Sequence, residues 1–362
     1  MKVAIVGAGL SGLSCAIELE RHKIKPVIFE KRAHVGEAFY YSMIMPRVIN
    51  RPVMDPIKYL KKEYGLNLVP HNHIKKMIIC SSRSKAVERG SLGYIFRRGF
   101  PASALEKQLL NHVNSQIVFN QYVEPENIKN EYDYVVVAAA NSITAKRLGI
   151  WTDTFNAQVR IATILGKFIP TETFMWQDTR YAKNGFCYLI PSSTKEASLV
   201  QIVNGITSYE LDYYWKEFLF TEDIQYYIFG TSDTEHDGGL VQPRQVENLI
   251  FVGNAAGFTD DLIGCGGFNA IESGMLAARS IALGKDYNTL SRPIFEDVER
   301  LHQFRKAVNT LDNSEMNHLT KFLGLPIIKN VIYNNPFFRI SHTSNSIRLY
   351  NSFIKNRRKP VE

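Results

Sequence analysis

The chain has 362 residues and a formal charge of +8, from 43 Lys and Arg against 35 Asp and Glu, and 45% of it is hydrophobic. This length admits two domains or one domain with an insertion, and so apolar a composition excludes wholesale disorder. The four cysteines, Cys15, Cys80, Cys187 and Cys265, form neither a CxxC pair nor a metal-ligand spacing, which argues against a disulfide framework and against zinc.

In chain order, residues 1–6 read as a strand, and Gly7-Ala-Gly9-Leu-Ser-Gly12 follows at once, opening a helical pattern. Strand, glycine turn and helix in that order form a dinucleotide-binding unit. Gly7 permits the turn, Gly9 lets a pyrophosphate approach the backbone, and Gly12 lets the helix pack on the strand. The amides of Leu10, Ser11 and Gly12 then face the phosphates. A second strand, residues 26–29, ends at Glu30, where an acid binds ribose hydroxyls. Lys31 and Arg32 come next and would suit a 2′-phosphate, so NADP stays open on this segment alone.

Further along, residues 103–112 read as a helix and 132–138 as a strand, and residues 51–93 and 151–240 are rich in strand formers, with one helix around residues 209–219. Residues 248–274 then read as a buried strand, Leu249 to Val252, delivering the small-residue turn Gly253-Asn254-Ala255-Ala256-Gly257, followed by Gly264-Cys265-Gly266-Gly267 at the start of a helix. From about Asp286 the pattern is helical. Between Lys321 and Glu362 the charged residues are basic except for Glu362, with apolar residues interleaved. Such a tail suits an anionic membrane surface or a protein partner, or else a solvated helical bundle, and no motif points to nucleic acid. Met1-Lys2 leads directly into the first strand and no apolar run reaches transmembrane length, so a cytoplasmic protein, membrane-associated at most through its tail, is expected.

Four separated blocks resemble the single-Rossmann FAD oxidoreductases that include geranylgeranyl reductases, aromatic hydroxylases and flavin-dependent halogenases: residues 7–30, 93–105, 133–142 and 248–274. The resemblance implies a three-layer, Rossmann-type α/β domain for FAD assembled from residues 1–50, 94–150 and 241–285. It also implies an inserted antiparallel-sheet substrate domain from residues 51–93 and 151–240, and a C-terminal helical region over residues 286–362. It places Gly253 and Asn254 at the flavin ribityl chain and Gly264, Cys265, Gly266 and Gly267 at the pyrimidine edge. Arg97 of the second block, or Arg98 in its place, and Ala138 of the third complete the cofactor set.

This chain departs from the family pattern at three places. Asn254 replaces an acid, residues 138–140 are three alanines where hydroxylases carry an Asp-Gly pair, and Asp261 stands where proline is common. The electron donor, NAD(P)H or another external source, therefore stays open. Phe186-Cys-Tyr188-Leu-Ile190-Pro191 is similar to the motif lining the isoprenoid channel of geranylgeranyl reductases, and the same alternation is what one face of any half-buried strand shows. The substrate candidates are Phe186, Tyr188, Ile190 and Pro191, with Phe174, Trp176 and Trp215 as further pocket residues. Cys265 and Tyr188 are the candidates for reactive groups. His34, His71, His73, His236 and His302 have no partners at ligand spacing.

The resulting expectation is an FAD-dependent enzyme reducing C=C bonds of a prenyl or other apolar substrate. A monooxygenase or halogenase, and a flavin-fold binding protein without turnover, are the alternatives. Oligomeric state is not legible.

Overall fold

β1 (Val3–Val6) is buried at every position and has a parallel neighbour on each side, as a continuous apolar run requires when both its faces must be covered. α1 (Leu10–Arg21) and β2 (Val27–Phe29) follow. β3 (Ser42–Pro46) leaves this layer, α2 (Pro56–Tyr64) comes next, and β4 (Asn72–Ser81) and β5 (Ser84–Arg97) form a long hairpin. α3 (Leu105–Leu110), β6 (Ile117–Val118), α4 (Pro125–Ile128), β7 (Tyr134–Val137) and α5 (Ile143–Arg147) return to the first layer. The insert is β8 (Trp151–Leu165), β9 (Glu172–Gln177), α6 (Thr179–Ala182), β10 (Phe186–Pro191), β11 (Glu196–Asn204), α7 (Leu211–Thr221) and β12 (Tyr227–Val241). β13 (Gln245–Val246), β14 (Leu249–Phe251) and α8 (Gly267–Leu283) complete the first layer, and α9 (Tyr287–Val308), α10 (Asn313–Leu323) and α11 (Pro326–Lys329) end the described chain. This computed structural model describes residues 1–37, 41–50 and 52–335. Most of the basic tail, with Arg339, Arg348, Lys355, Arg357, Arg358 and Lys359, lies outside the described residues.

The strands form two sheets. The first, β13-β14-β7-β1-β2-β6, is parallel except for β13. Odd and even positions of its strands feed different cores. Val3, Ile5, Val136 and Ile250 pack with α1 and α8, while Ala4, Val6, Val135, Val137 and Phe251 pack with Ile294 and Val298 of α9. The second sheet, β12-β8-β11-β10-β9-β4-β5-β3, is antiparallel except at β4–β9 and curls until its last strand returns to the middle, where the Ser42 amide of β3 donates to Ser198 Oγ of β11 at 2.9 Å. Its convex face, with Ala162, Ile164, Cys187, Leu189 and Leu199, lies under Trp215 and Phe218 of α7. The Rossmann-type layer, the antiparallel insert and the C-terminal helices match the expected fold class.

The course of the chain between the layers differs from the expected division at two points. α2 falls in the 51–93 stretch yet packs on the parallel layer through Leu60 and Tyr64. It is built as a capped helix: Asp55 accepts from the Lys58 amide, Pro56 opens the first turn and Gly65 ends it in the left-handed region. Conversely β3, inside residues 1–50, pairs with β5 in the curled sheet.

The N-terminal unit and the last block meet where α1 packs on α8. In α8, a Cβ at Gly274 would overlap the carbonyl oxygen of Ser11 in α1. Gly274→Ala should therefore lower stability by about 1–3 kcal/mol, the cost of overpacking a tight contact, even though Ala favours a helix interior by about 1 kcal/mol. Urea unfolding measures the difference, and an unchanged or raised midpoint would show that the two helices part without cost.

Candidate functional site

The glycine turn joins β1 to α1 and is held from behind by β7. Gly7 has φ +112°, and a Cβ there would lie 2.6 Å from the Ala138 carbonyl oxygen, so only glycine takes the turn. Gly12 is equally confined, against the Gly7 carbonyl, whereas a Cβ at Gly9 would meet nothing within 4 Å. The turn is thus closed on its protein side and open above Gly9. α1 starts with no side-chain cap, leaving its first amides for an external acceptor. Glu30, at the end of β2, braces the same turn: Oε2 accepts from the Ala8 amide at 2.9 Å and Oε1 from the Arg32 amide at 3.0 Å. Each carboxylate oxygen retains a lone pair for a further donor. Lys31 is exposed on the surface beyond β2.

The last block meets this turn directly. Gly253 has φ +58°, and a Cβ there would stand 2.8 Å from Ser11 Oγ, while its amide donates to Ser273 Oγ at 3.0 Å. Asn254 Oδ1 accepts from Thr259 Oγ1 at 2.7 Å, so part of its accepting capacity is directed inward. The loop after it differs from expectation. The amides of Ile263 and Cys265 donate to Asp260 Oδ1 and Oδ2 at 2.8 and 2.7 Å, and that of Gly264 to the Asp260 carbonyl at 3.1 Å. Gly264 and Cys265 therefore do not present their N–H groups to a ligand. The start of α8 at Gly266 and Gly267 carries no side-chain cap, which leaves its first amides for another acceptor.

Phe186, Tyr188 and Ile190 share the inner face of the curled sheet, as their alternation predicts. The first two reach the loop: a Cβ at Gly264 would lie 3.4 Å from Tyr188 Oη and 3.6 Å from Phe186 Cζ. Ile190 continues the wall with Ile74, Leu92 and Ile95, and Tyr333 of the C-terminal segment packs against it. Pro191 is buried at the end of β10. Trp176 and Trp215, by contrast, belong to the core under the convex face, and Phe174 packs against that same core, stacked on Trp176 at 5.5 Å. These three do not line the inner wall. Alternation separates the two faces of a strand, but the curl of the sheet decides which face is concave.

Arg97 and Arg98 part company by the same rule. Arg98 Nε donates to Glu106 in the first turn of α3, in the parallel layer, whereas Arg97 lies against the Ser192 carbonyl and Glu196 on the curled sheet. Of the two, Arg98 is the one joined to the parallel layer. The thiol of Cys265 is pushed well above its ordinary range by burial and by Asp260, so it is a protonated thiol and a poor nucleophile. Burial likewise keeps the Tyr188 phenol protonated.

Sequence reasoning missed a buried charged cluster where the loop, α9 and the curled sheet meet. Asp261 Oδ2 pairs with His302 Nδ1 at 2.8 Å, giving that histidine a partner no spacing rule reveals. Arg305, one turn further along α9 and 1% exposed, donates from Nε to Asn309 Oδ1 at 2.7 Å, and its guanidinium lies 5.5 and 5.6 Å from the rings of Phe155 and Phe186. Burial lowers its pKa to about 10 against the opposing pull of Asp261 and Asp260. The available signal was His302 and Arg305 standing at helical spacing from Phe295, Val298 and Leu301, on a stripe that should be apolar throughout. Among the described residues no three His, Cys, Asp or Glu side chains are placed to hold a metal ion, and no helix is long and apolar enough to cross a membrane.

Residues 5–51 match the family of NAD(P)-binding Rossmann-like domains. Over the whole chain, a geranylgeranyl bacteriochlorophyll reductase-like protein from Thermoplasma acidophilum has a TM-score of 0.71 at 14% identity, covering 96% of this chain and 98% of that one. A flavin-dependent brominase has a TM-score of 0.68 at 14% identity, with coverages of 98% and 100%. This chain has the fold of the FAD-dependent oxidoreductases. Aklavinone-11 hydroxylase, solved with FAD and aklavinone, shares that flavin fold at a TM-score of 0.59 and 13% identity, over 88% of this chain and 70% of that one. A search of curated proteins by sequence finds no match. The residues of this flavin fold suit FAD at its adenosine and pyrophosphate end, where the space above Gly9, the uncapped start of α1 and the spare lone pairs of Glu30 converge. At the ring end the uncapped start of α8 and the side chain of Asn254 are the groups available.

Asp260 makes the loop sensitive to pH. Its side chain is fully buried, and burial raises its pKa from 3.8 to about 7 despite the amides of Ile263 and Cys265 that favour the charged form. The folded protein thus holds a proton that the unfolded chain releases above pH 3.8, so this group's contribution is complete below that pH and is lost as pH rises through about 7. Urea unfolding of the protein should show stability falling between pH 5 and pH 8, with Asp260→Asn removing that part of the slope. Equal slopes in both proteins would show that Asp260 titrates normally.

Proposed function

We propose that this chain is an FAD-dependent reductase that saturates carbon–carbon double bonds of a prenyl or other apolar substrate. The observation that carries the reading is the continuous inner wall of Phe186, Tyr188 and Ile190, extended by Ile74, Leu92 and Ile95, which runs directly onto the Gly264 loop at the ring end of the cofactor site. An apolar wall of that extent suits a long hydrocarbon better than a compact polar ring system, because each buried CH₂ contributes roughly 0.8 kcal/mol. The likeness to a geranylgeranyl bacteriochlorophyll reductase-like protein supports the reading at the level of fold.

Gly7, Gly9, Leu10, Ser11, Gly12 and Glu30 would hold the adenosine and phosphates, and Gly253, Asn254, Gly266 and Gly267 the ribityl chain and ring. Bound flavin supplies a two-electron transfer to or from carbon. The chain's own contribution is to orient the alkene against the wall, exclude water and deliver a proton. Tyr188 is the candidate donor, since it is buried in the protonated form beside the loop, and a positioned acid is worth about 10²–10⁴-fold in rate. Cys265, protonated and directed at the Ile44 carbonyl 3.9 Å away, fills space.

Protein loaded with FAD and chemically reduced without oxygen should convert a prenyl substrate to a product two mass units heavier for each bond reduced. Tyr188→Phe should slow this by about 10²-fold or more, and Cys265→Ala should leave it within about twofold at equal flavin content. Product formed only with oxygen, carrying a new hydroxyl or halogen, would replace this reading with a monooxygenase or halogenase.

A further inference from the structure

A cation stands where the apolar wall meets the Gly264 loop. Arg305 of α9 is 1% exposed, and its guanidinium lies 5.5 and 5.6 Å from the rings of Phe155 and Phe186, which share one inner-wall cluster with Val159, Val200 and Ile202. Phe186 also adjoins Tyr188, with 5.6 Å between ring centroids. The cation and the proposed proton donor therefore meet the same ring, and that ring reaches the loop.

The guanidinium is only partly used. Its Nε donates to Asn309 Oδ1 at 2.7 Å, whereas neither Nη1 nor Nη2 has a hydrogen-bond partner among the described residues. The neighbouring carboxylate does not serve it: Asp261 Oδ2 pairs with His302 Nδ1 at 2.8 Å, and Oδ1 has no partner. With its pKa lowered to about 10, Arg305 still carries its charge at neutral pH. A buried charge without a partner destabilises a fold strongly, so the fold itself gives no reason for this one. The free end of a guanidinium offers two N–H donors side by side, an arrangement that suits an acceptor oxygen gaining negative charge.

Tyr188 limits the reaction such a group can serve. Burial makes its phenol a weaker acid than usual. A phenol that weak does not protonate an isolated alkene to a carbocation, but it does protonate the α carbon of an enolate. We propose that Arg305 binds the oxygen of a carbonyl conjugated to the reacting double bond, and that the substrate is an α,β-unsaturated ketone or aldehyde on an apolar chain. Hydride from reduced flavin forms the new C–H bond at the β carbon, and the alkene π pair shifts so that negative charge gathers on the carbonyl oxygen at the two Nη groups. Tyr188 then gives its proton to the α carbon, the C=O bond re-forms, and solvent returns a proton to the phenolate. The alkene is reduced by two electrons and the flavin oxidised by two. A donor placed at a developing oxyanion contributes about 10²–10³-fold in rate. The reaction half of this assignment rests on the proposed reductase reading; the carbonyl contact does not.

Two ketones of similar skeleton test it: pseudoionone, whose double bonds are conjugated to its carbonyl, and geranylacetone, whose double bonds are isolated from it. Infrared difference spectra of the full chain with pseudoionone require neither flavin nor turnover. The carbonyl stretch should move to lower frequency on saturable binding, and Arg305→Met should abolish the shift and weaken binding by roughly tenfold or more. The same variant should unfold in urea at an unchanged or higher midpoint, because it removes an unpaired buried charge; a lowered midpoint would make Arg305 a structural residue and overturn the proposal. A carbonyl stretch that does not move in the unmodified chain would show that the guanidinium holds only water, and would overturn it too. With reduced FAD and no oxygen, pseudoionone should be reduced at its conjugated double bonds while geranylacetone stays intact, and Arg305→Met should slow the reaction by about 10²-fold or more. Equal reduction of both ketones would overturn the substrate class. Reduction of neither, with the Arg305-dependent shift retained, would remove the reductase reading and support the carbonyl site alone.

Discussion

Ser11 is the residue on which the two distant halves of the candidate cofactor site converge. Its hydroxyl faces Gly253 of the last block so closely that a Cβ there would lie 2.8 Å away, and its carbonyl leaves no room for a Cβ at Gly274 of α8. These contacts bring the N-terminal glycine turn and the small-residue turn after β14 onto one surface at the same end of the parallel layer, where β7 lies between β1 and β14. Ligands of open α/β sheets bind at such strand ends. Gly7, Gly12 and Gly274 let backbone approach backbone, and Gly253 leaves room for the Ser11 side chain. The open space above Gly9 is the exception, facing outward.

A second constraint fixes what surrounds that surface. Asp260 gathers the amides of Ile263 and Cys265 into a tight turn, and Asp261 ties the same loop to α9 through His302. The loop that approaches the ring end of the site is held from behind by carboxylates on one side and by Phe186 and Tyr188 on the other. Asp261 in place of a proline is thus no simple loss. The Asp261–His302 contact joins the loop to α9, so the C-terminal helices become part of the site's support.

Much of the parallel layer was legible because its signals are local. The turn at Gly7, Gly9 and Gly12, the acid at Glu30 and the apolar runs of β1, β7 and β14 lie within short segments, and each has one physical meaning. The assignment of Phe186, Tyr188 and Ile190 to one face was legible for the same reason. Other features depend on tertiary geometry. The inward turn of the Gly264 and Cys265 amides requires Asp260 to fold back on its own loop. Phe174, Trp176 and Trp215 fell on the convex side because only the curl of the sheet tells inner from outer. α2 carried its own caps, Asp55 and Gly65, yet its docking on the parallel layer depends on a chain path that periodicity does not encode.

Any flavin chemistry of this chain requires that the surface joining the Gly9 turn to the start of α8 hold FAD. The direct measurement is the absorption spectrum of the protein purified without added cofactor, followed by identification of whatever it releases on denaturation. Flavin bands and the release of FAD are expected. A colourless protein that also fails to quench added FAD in a saturable way would contradict it.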